Sequence, residues 1–219
     1  MESLSLELWT RAAQRLRDVF AAEESRLCGL DGAVGDGDHG TSMLRGFSAA
    51  RQSLDESPAA DIGELLRRIG ETFLAEVGGV TGVVFGSLFL AAGQSAAGRS
   101  QLGTLELHAM MAAGLAAVVK RGSVKKGDKS MVDALAPAVA ALETAAAEHR
   151  AAGEALNLAA RAAAEGAEAT RTLIARVGRA RYQGDRAVGH VDAGAASVAL
   201  LFETLAQEAQ ERGEGSQRA

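Results

Sequence analysis

Asp31-Gly32-Ala33-Val34-Gly35-Asp36-Gly37-Asp38-His39-Gly40-Thr41-Ser42 separates two stretches of helical periodicity and brings three carboxylates, four glycines and two hydroxyls into twelve positions. Upstream, Leu4, Leu8, Ala12, Leu16, Val19 or Phe20, and Leu27 recur at three- and four-residue steps, which predicts a long amphipathic helix. Downstream a second helix begins. Helix, glycine-rich turn, helix is the unit from which the rest of the chain is read. The turn itself suits a metal–phosphate complex. Mg²⁺ takes oxygen ligands in near-octahedral geometry and shares them with substrate phosphates. Gly35, Gly37 and Gly40 are expected to free the backbone and bunch the carboxylates. Gly40, Thr41 and Ser42 would offer backbone N–H groups and hydroxyls to an anion at a helix N-terminus. The same residues also suit a solvated turn with an N-cap.

Two familiar loops are excluded. Read as an EF-hand from Asp36, the third position is Asp38, but the fifth falls on Gly40 and the twelfth on Phe47, where glutamate is required. No Gly-Lys-Ser/Thr follows four free positions after a glycine, so there is no P-loop.

The chain has 219 residues, 47% of them hydrophobic, enough to bury a core. A net charge of −5 argues against a broad electrostatic footprint for nucleic acid or an anionic membrane, so any phosphate affinity is local. The single cysteine, Cys28, makes no internal disulfide, and Met1-Glu2-Ser3-Leu4 does not begin a charged-then-apolar leader. A cytoplasmic location is expected. The longest apolar stretch, Val80 to Ala92, is too short to span a bilayer.

Further helices are predicted at 41–54, 62–77, 81–97, 104–120, 130–148, 152–176 and 193–211, with no alternating strand. Pro137 falls inside the sixth helix, where a kink or late start is expected. Alanine dominates after residue 109, which favours helix and close packing. Short links favour antiparallel neighbours, so the expected fold class is all-α, an eight-helix bundle or closed barrel. Residues 1–212 form one domain in this reading, and 213–219 a frayed tail.

Three more turns invite a ligand. Val77-Gly78-Gly79-Val80-Thr81-Gly82 precedes an apolar helix, with Thr81 placed to cap it or to donate to a phosphate. Lys120, Arg121, Lys125, Lys126 and Lys129 put five cations into ten residues of an acidic chain. That run suits a solvated connector, with Asp128 or Ser130 capping the next helix, and equally a docking face or a rim beside a nucleotide. The fourth turn, 176–194, carries Arg176, Arg179, Arg181 and Arg186, together with Tyr182 and His190. So long a connection in a bundle suits a lid, and its arginines suit phosphate.

Taken together, the four turns resemble the nucleotide-binding L subunit of dihydroxyacetone kinases, also found as the C-terminal domain of single-chain versions. The resemblance rests on Gly35-Asp36-Gly37-Asp38-His39-Gly40, on Gly78-Gly79 with Gly82, on Gly127-Asp128-Lys129 before Met131, and on Gly178-Arg179-Ala180 with Tyr182, Gly189-His190 and Asp192-x-Gly194. It implies an eight-helix barrel whose loops at one end hold ADP or ATP through Mg²⁺. It further implies that Asp31, Asp36 and Asp38 are metal ligands and that His39, Gly40, Thr41 and Ser42 meet the phosphates with Val80 and Thr81 beside them. Gly122 and Met131 would flank the base, while Arg179, Asp192 and Gly194 would close the lid.

The resemblance implies no catalytic base on this chain. The small ketose would sit on a separate K subunit, and a phosphotransferase-system protein is one candidate phosphoryl donor. Ala193 stands where the family commonly has proline, Asp185 where glutamate is expected, and Arg181 where a small residue is expected. A nucleotide-loaded interaction module without turnover and the related domain of fatty acid kinases are the alternatives.

Overall fold

The computed structural model describes the backbone of residues 3–217 and the side chains of residues 3–211. Met1, Glu2 and residues 218–219 lie outside the described residues, as do the side chains of the expected tail. Eight α-helices follow in order among the described residues: α1 Leu6–Gly32, α2 His39–Glu56, α3 Ile62–Glu76, α4 Gly79–Ser95, α5 Thr104–Gly122, α6 Val132–Ala147, α7 Ala152–Ala169 and α8 Ala193–Gln217. Short 3₁₀ turns occupy Thr170–Thr172 and Arg179–Ala187 between α7 and α8. The backbone of 213–217 continues α8.

Each helix packs on the next, and α8 returns onto α1, so the helices close into a ring. With short links, successive helices run antiparallel. The α1–α2, α3–α4, α5–α6 and α7–α8 connections therefore share one end of the barrel, and these are the four glycine-rich turns. The remaining links meet at the other end. There Leu6 N–H donates to Ser100 O, Ile62 N–H to Arg99 O and the Thr104 hydroxyl to Arg150 O. No helix among the described residues is long and apolar enough to cross a membrane.

Local chemistry explains the helix starts. The Ser5 side chain accepts from Leu8 N–H to cap α1, and Asp61 accepts from Glu64 N–H to cap α3. Leu4 was expected inside the first helix and no strand was expected. Instead Leu4–Ser5 (β1) pairs antiparallel with Gln101–Leu102 (β2), Leu4 opposite Leu102. This pairing satisfies backbone groups just before α1 and just before α5, and a two-residue strand is too short to leave a periodic signal.

Two kinds of packing fill the barrel. On the α1–α4 side Phe20 stacks on Phe47 at 4.8 Å, and Phe47 meets Phe73 edge-on at 5.1 Å. On the α6–α7 side Ala134, Ala138, Ala155, Ala159 and Ala163 are fully buried, and small side chains bring the backbones together. α6 starts at Val132, two residues after the predicted 130, and continues through Pro137 without a break. Proline removes the helical donor to the Asp133 carbonyl. The α7 backbone comes up against that oxygen at Gly166, where an added Cβ would lie 2.3 Å away.

Candidate nucleotide site at the glycine-rich end

Asp31 ends α1 and organises the first turn. Its Oδ2 accepts the N–H groups of Gly37 at 2.8 Å and Asp38 at 3.1 Å, which folds the chain back and brings the next two aspartates over α1. Only Gly37 uses the conformational freedom expected of the glycines, with φ at +77°. Gly35 and Gly40 serve close approach instead. A Cβ on Gly35 would meet Asp31 Oδ1 at 2.4 Å, and one on Gly40 would lie 2.1 Å from Glu24 O, so α1 and α2 cross here nearly backbone to backbone.

One oxygen from each of Asp31, Asp36 and Asp38 lies within 4.8 Å of the others. Ligand oxygens around an octahedral Mg²⁺, bonded at about 2.1 Å, sit roughly 3–4 Å apart, so small side-chain rotations bring this set to that spacing. All-oxygen, anionic and partly exposed, the donor set suits a hard divalent cation that keeps open positions for phosphate.

Helix α2 starts at His39, two residues earlier than predicted, with Asp38 as N-cap. His39, Gly40 and Thr41 are therefore the first-turn residues whose N–H groups have no intrahelical acceptor. Ser42 N–H is already used, donating to Asp38 O at 2.9 Å. The Thr41 hydroxyl donates to Glu24 Oε1 at 2.9 Å. His39 is buried beneath this turn, its Nε2 2.9 Å from Ser197 Oγ on α8. Burial lowers its pKa to about 4, so the ring is neutral at pH 7.

The α7–α8 connection folds over the aspartates. The Arg179 guanidinium is ion-paired with the Asp36 carboxylate. Ala175, Ala180 and Ala187 pack around Val34 in a small apolar cluster separate from the core. Tyr182 stays exposed, with the Arg181 guanidinium 4.6 Å above its ring. Asp192 closes the connection as the N-cap of α8, its Oδ2 accepting from Ala195 N–H at 2.8 Å. Burial raises its pKa to about 6, and the Asp133 and Asp31 carboxylates push the same way. Ala193, at the position where proline is expected, is the first residue of α8, a position that accepts either.

The basic run divides. Lys125 and Lys126 are exposed, but Lys129 is buried and belongs to no docking face. Neither Asp128 nor Ser130 is the N-cap of α6; that position is Met131. Asp128 accepts from Lys125 N–H within its own turn, while Asp133 reaches back to accept from Gly127 and Ser130 N–H.

Among the expected site residues, Asp31, Asp36, Asp38 and Arg179 are in direct company, and Met131, Asp192 and Gly194 form a second group. A Cβ on Gly194 would meet Asp192 Oδ2 at 3.1 Å and Met131 Cβ at 3.4 Å. Val80 is exposed at the start of α4 beside Thr81, and Gly122 ends α5. These three share the end by topology. Sequence reading gave no place to Glu24, Asp133, Thr170 and Ser197, and read Lys129 only as part of the basic run and of the Gly127-Asp128-Lys129 motif. They lie within helices or beside louder motifs, and only Lys129 and Asp133 carried a signal, their closeness to Gly127-Asp128.

An all-α barrel with three clustered carboxylates beside a helix N-terminus at its glycine-rich end defines the class. Residues 33–207 match the DAK2 domain, and the chain belongs to the DAK2 domain family. It is 40% identical over 197 residues to the ADP-binding subunit DhaL of the PEP-dependent dihydroxyacetone kinase of Escherichia coli, covering 90% of this chain and 94% of that one. It is 35% identical to D-erythrulose kinase of Mycolicibacterium smegmatis over 91% of this chain and 35% of the relative. The dihydroxyacetone kinase of C. freundii in complex with AMP-PNP and Mg²⁺ superposes with a TM-score of 0.70 at 28% identity, over 94% of this chain. The chain spans about a third of the length of that enzyme.

Proposed function

We propose that this chain is the nucleotide-binding subunit of a dihydroxyacetone-type kinase, carrying ADP or ATP with Mg²⁺ and delivering a phosphoryl group to a small ketose held on a separate K subunit. The observation that carries the reading is the placement of three carboxylates against the N-terminal turn of α2 and beneath Arg179. Asp31, Asp36 and Asp38 hold the metal, and when bound Mg²⁺ neutralises charge on the phosphate oxygens. The N–H groups of Gly40 and Thr41 and the hydroxyl of Ser42 donate to those oxygens, the Thr41 hydroxyl joining them only by turning away from Glu24, with Val80 and Thr81 alongside. Gly122 and Met131 flank the base, and Asp192 and Gly194 fix the foot of the lid beside Met131.

In the transfer, the bond from the terminal phosphorus to the nucleotide oxygen breaks, one to the ketose hydroxyl oxygen forms, and the hydroxyl proton leaves on the K-subunit side, since no group of this chain is assigned to take it. Charge spreads over the three equatorial oxygens, so positioned donors supply most of the catalysis. Arg179 is the mobile cation suited to that charge. His39 orients instead of donating charge, because its ring is neutral and its Nε2 is engaged by Ser197. A short ketose such as erythrulose is the second reading, favoured by the D-erythrulose kinase relative. The lone Cys28 suits a reducing cytoplasm.

The test mixes the purified chain with a K subunit, Mg²⁺, dihydroxyacetone or erythrulose, and either ATP or a phosphotransferase-system donor protein. Phosphorylated ketose is expected with one donor. No product with any of them overturns the kinase reading. Nucleotide released on denaturation distinguishes the donors: near-stoichiometric, slowly exchanging ADP marks a resident cofactor, and a rapidly exchanging site marks direct use of ATP.

A further inference from the structure

Lys129 is 2% exposed and is the one buried lysine or arginine among the described residues. Its φ of +60° lies in the left-handed region, a conformation a non-glycine residue keeps only where its surroundings over-determine it. The ammonium Nζ donates to Thr170 O and to His190 O, each at 2.6 Å. Those carbonyls are the two feet of the lid: Thr170 directly follows α7, and His190 stands two residues before Asp192. The feet are joined again by Asp192 N–H donating to the Thr170 hydroxyl at 2.9 Å and by Gly189 N–H donating to Arg171 O at 2.8 Å.

A buried ammonium is costly unless it is paired and hydrogen-bonded, and a methionine of similar length would fill the space without that cost. The charge has a specific environment here, with Asp192 and Asp133 attracting and Arg171 opposing. Lys129 sits two residues before Met131 and touches both lid feet, so one side chain spans the two walls that Met131 and Gly194 bring together.

We propose that Lys129 is a positioning residue that staples both feet of the 173–189 lid to the α5–α6 turn, holding Asp192 and Gly194 in register with Met131 across the nucleotide. The proposal rests on the nucleotide reading of this end of the barrel. It assigns Lys129 no contact with the nucleotide: the side chain acts through the two carbonyls. Without it, the lid keeps the Arg179–Asp36 pair, its Val34 contact and the Arg176 N–H bond to Asp128 O at 3.0 Å, but loses the one side chain that ties both feet to the turn.

The test compares the wild-type chain with Lys129→Met at a temperature well below both melting transitions. In the variant, MgADP is expected to dissociate at least tenfold faster. Tryptic cleavage at the exposed lid residues Arg179, Arg181 and Arg186 should rise at least tenfold, while cleavage at Arg67 on α3 and the affinity for Mn²⁺ alone change less than twofold. Release and lid cleavage within twofold of wild type overturn the proposal, as does cleavage rising equally at Arg67. A wild-type chain that binds no MgADP refutes the nucleotide reading, whereas lid cleavage still reports on the staple. Hydrogen exchange in the wild-type chain gives a measurement that does not depend on the variant folding. The amides of Arg176, Gly189 and Asp192 are expected to be protected at least tenfold beyond those of 180–186, and equal exchange at feet and crest overturns the staple.

Discussion

The Arg179 guanidinium is ion-paired with the Asp36 carboxylate, joining the lid to the turn that carries the three aspartates. The side chains are 65% and 36% exposed, and a pair of that kind contributes about 0–1 kcal/mol. It is therefore a latch that opens readily, and its components are the residues proposed to take up metal and phosphate. Closure depends more on the apolar contact at Val34 and on the buried foot around Thr170 than on this pair.

Asp36→Asn separates binding from folding. Removing a carboxylate from an oxygen site weakens Mg²⁺ directly, so Mg-nucleotide affinity is expected to fall at least about tenfold. The unfolding free energy should change by less than about 1 kcal/mol, because the lost ion pair is exposed. Titration calorimetry beside thermal melts decides the matter. Equal affinity in the variant contradicts a metal-ligand role.

Buried His39 and half-buried Asp192 have opposite pH signatures. His39 falls from 6.5 to about 4 on folding, so between those values the unfolded chain binds more protons and stability drops as the pH falls. Asp192 rises from 3.8 to about 6, so over nearly the same window the folded chain binds more protons and stability drops as the pH rises. Each is worth on the order of 3 kcal/mol across its window, and in the wild type they largely offset one another. In metal-free protein, His39→Gln should lose stability relative to its own pH 4 value as the pH rises to 6, and Asp192→Asn should gain it. Chemical denaturation at several pH values measures both slopes; parallel profiles for the two variants contradict the assignment.

Gly40 and Gly37 predict different penalties for the same added methyl. At Gly40 it collides with the Glu24 carbonyl, a backbone atom of α1, so Gly40→Ala is expected to cost about 2–4 kcal/mol and to shift the first turn of α2. At Gly37 the nearest atom, Gly32 Cα, is 3.5 Å away, and the cost is the left-handed backbone, about 1–2 kcal/mol. Denaturant unfolding of the two variants checks the order. A larger loss at Gly37 would show that the turn, and not the helix crossing, limits stability.

Eight helices were legible because most keep an apolar face at helical spacing, α4 being apolar nearly all round, and because the four glycine-rich turns punctuate them. Boundaries were less so. α2 begins at His39 because Asp38 is held from behind by Asp31, a contact seven residues apart that no local pattern announces. α7 stops at Ala169, short of the predicted 176, because Thr170 gives its hydroxyl and its carbonyl to Asp192 and Lys129 from distant segments. Arg181, out of place by family pattern, finds its partner next door in the Tyr182 ring.

The candidate site divides along the same line. Asp31, Asp36 and Asp38 are close in sequence, and a glycine turn brings close residues together by short-range geometry alone, so their clustering was readable from the chain. Alternating helix direction then carries the other three turns to the same end, which follows from helix count and short links. The partner of His39, the burial of Lys129 and the latch between Arg179 and Asp36 required the closed ring. Each joins residues far apart in sequence, and whether a side chain is a solvated cation or a buried strut depends on what packs over it, which only tertiary structure decides.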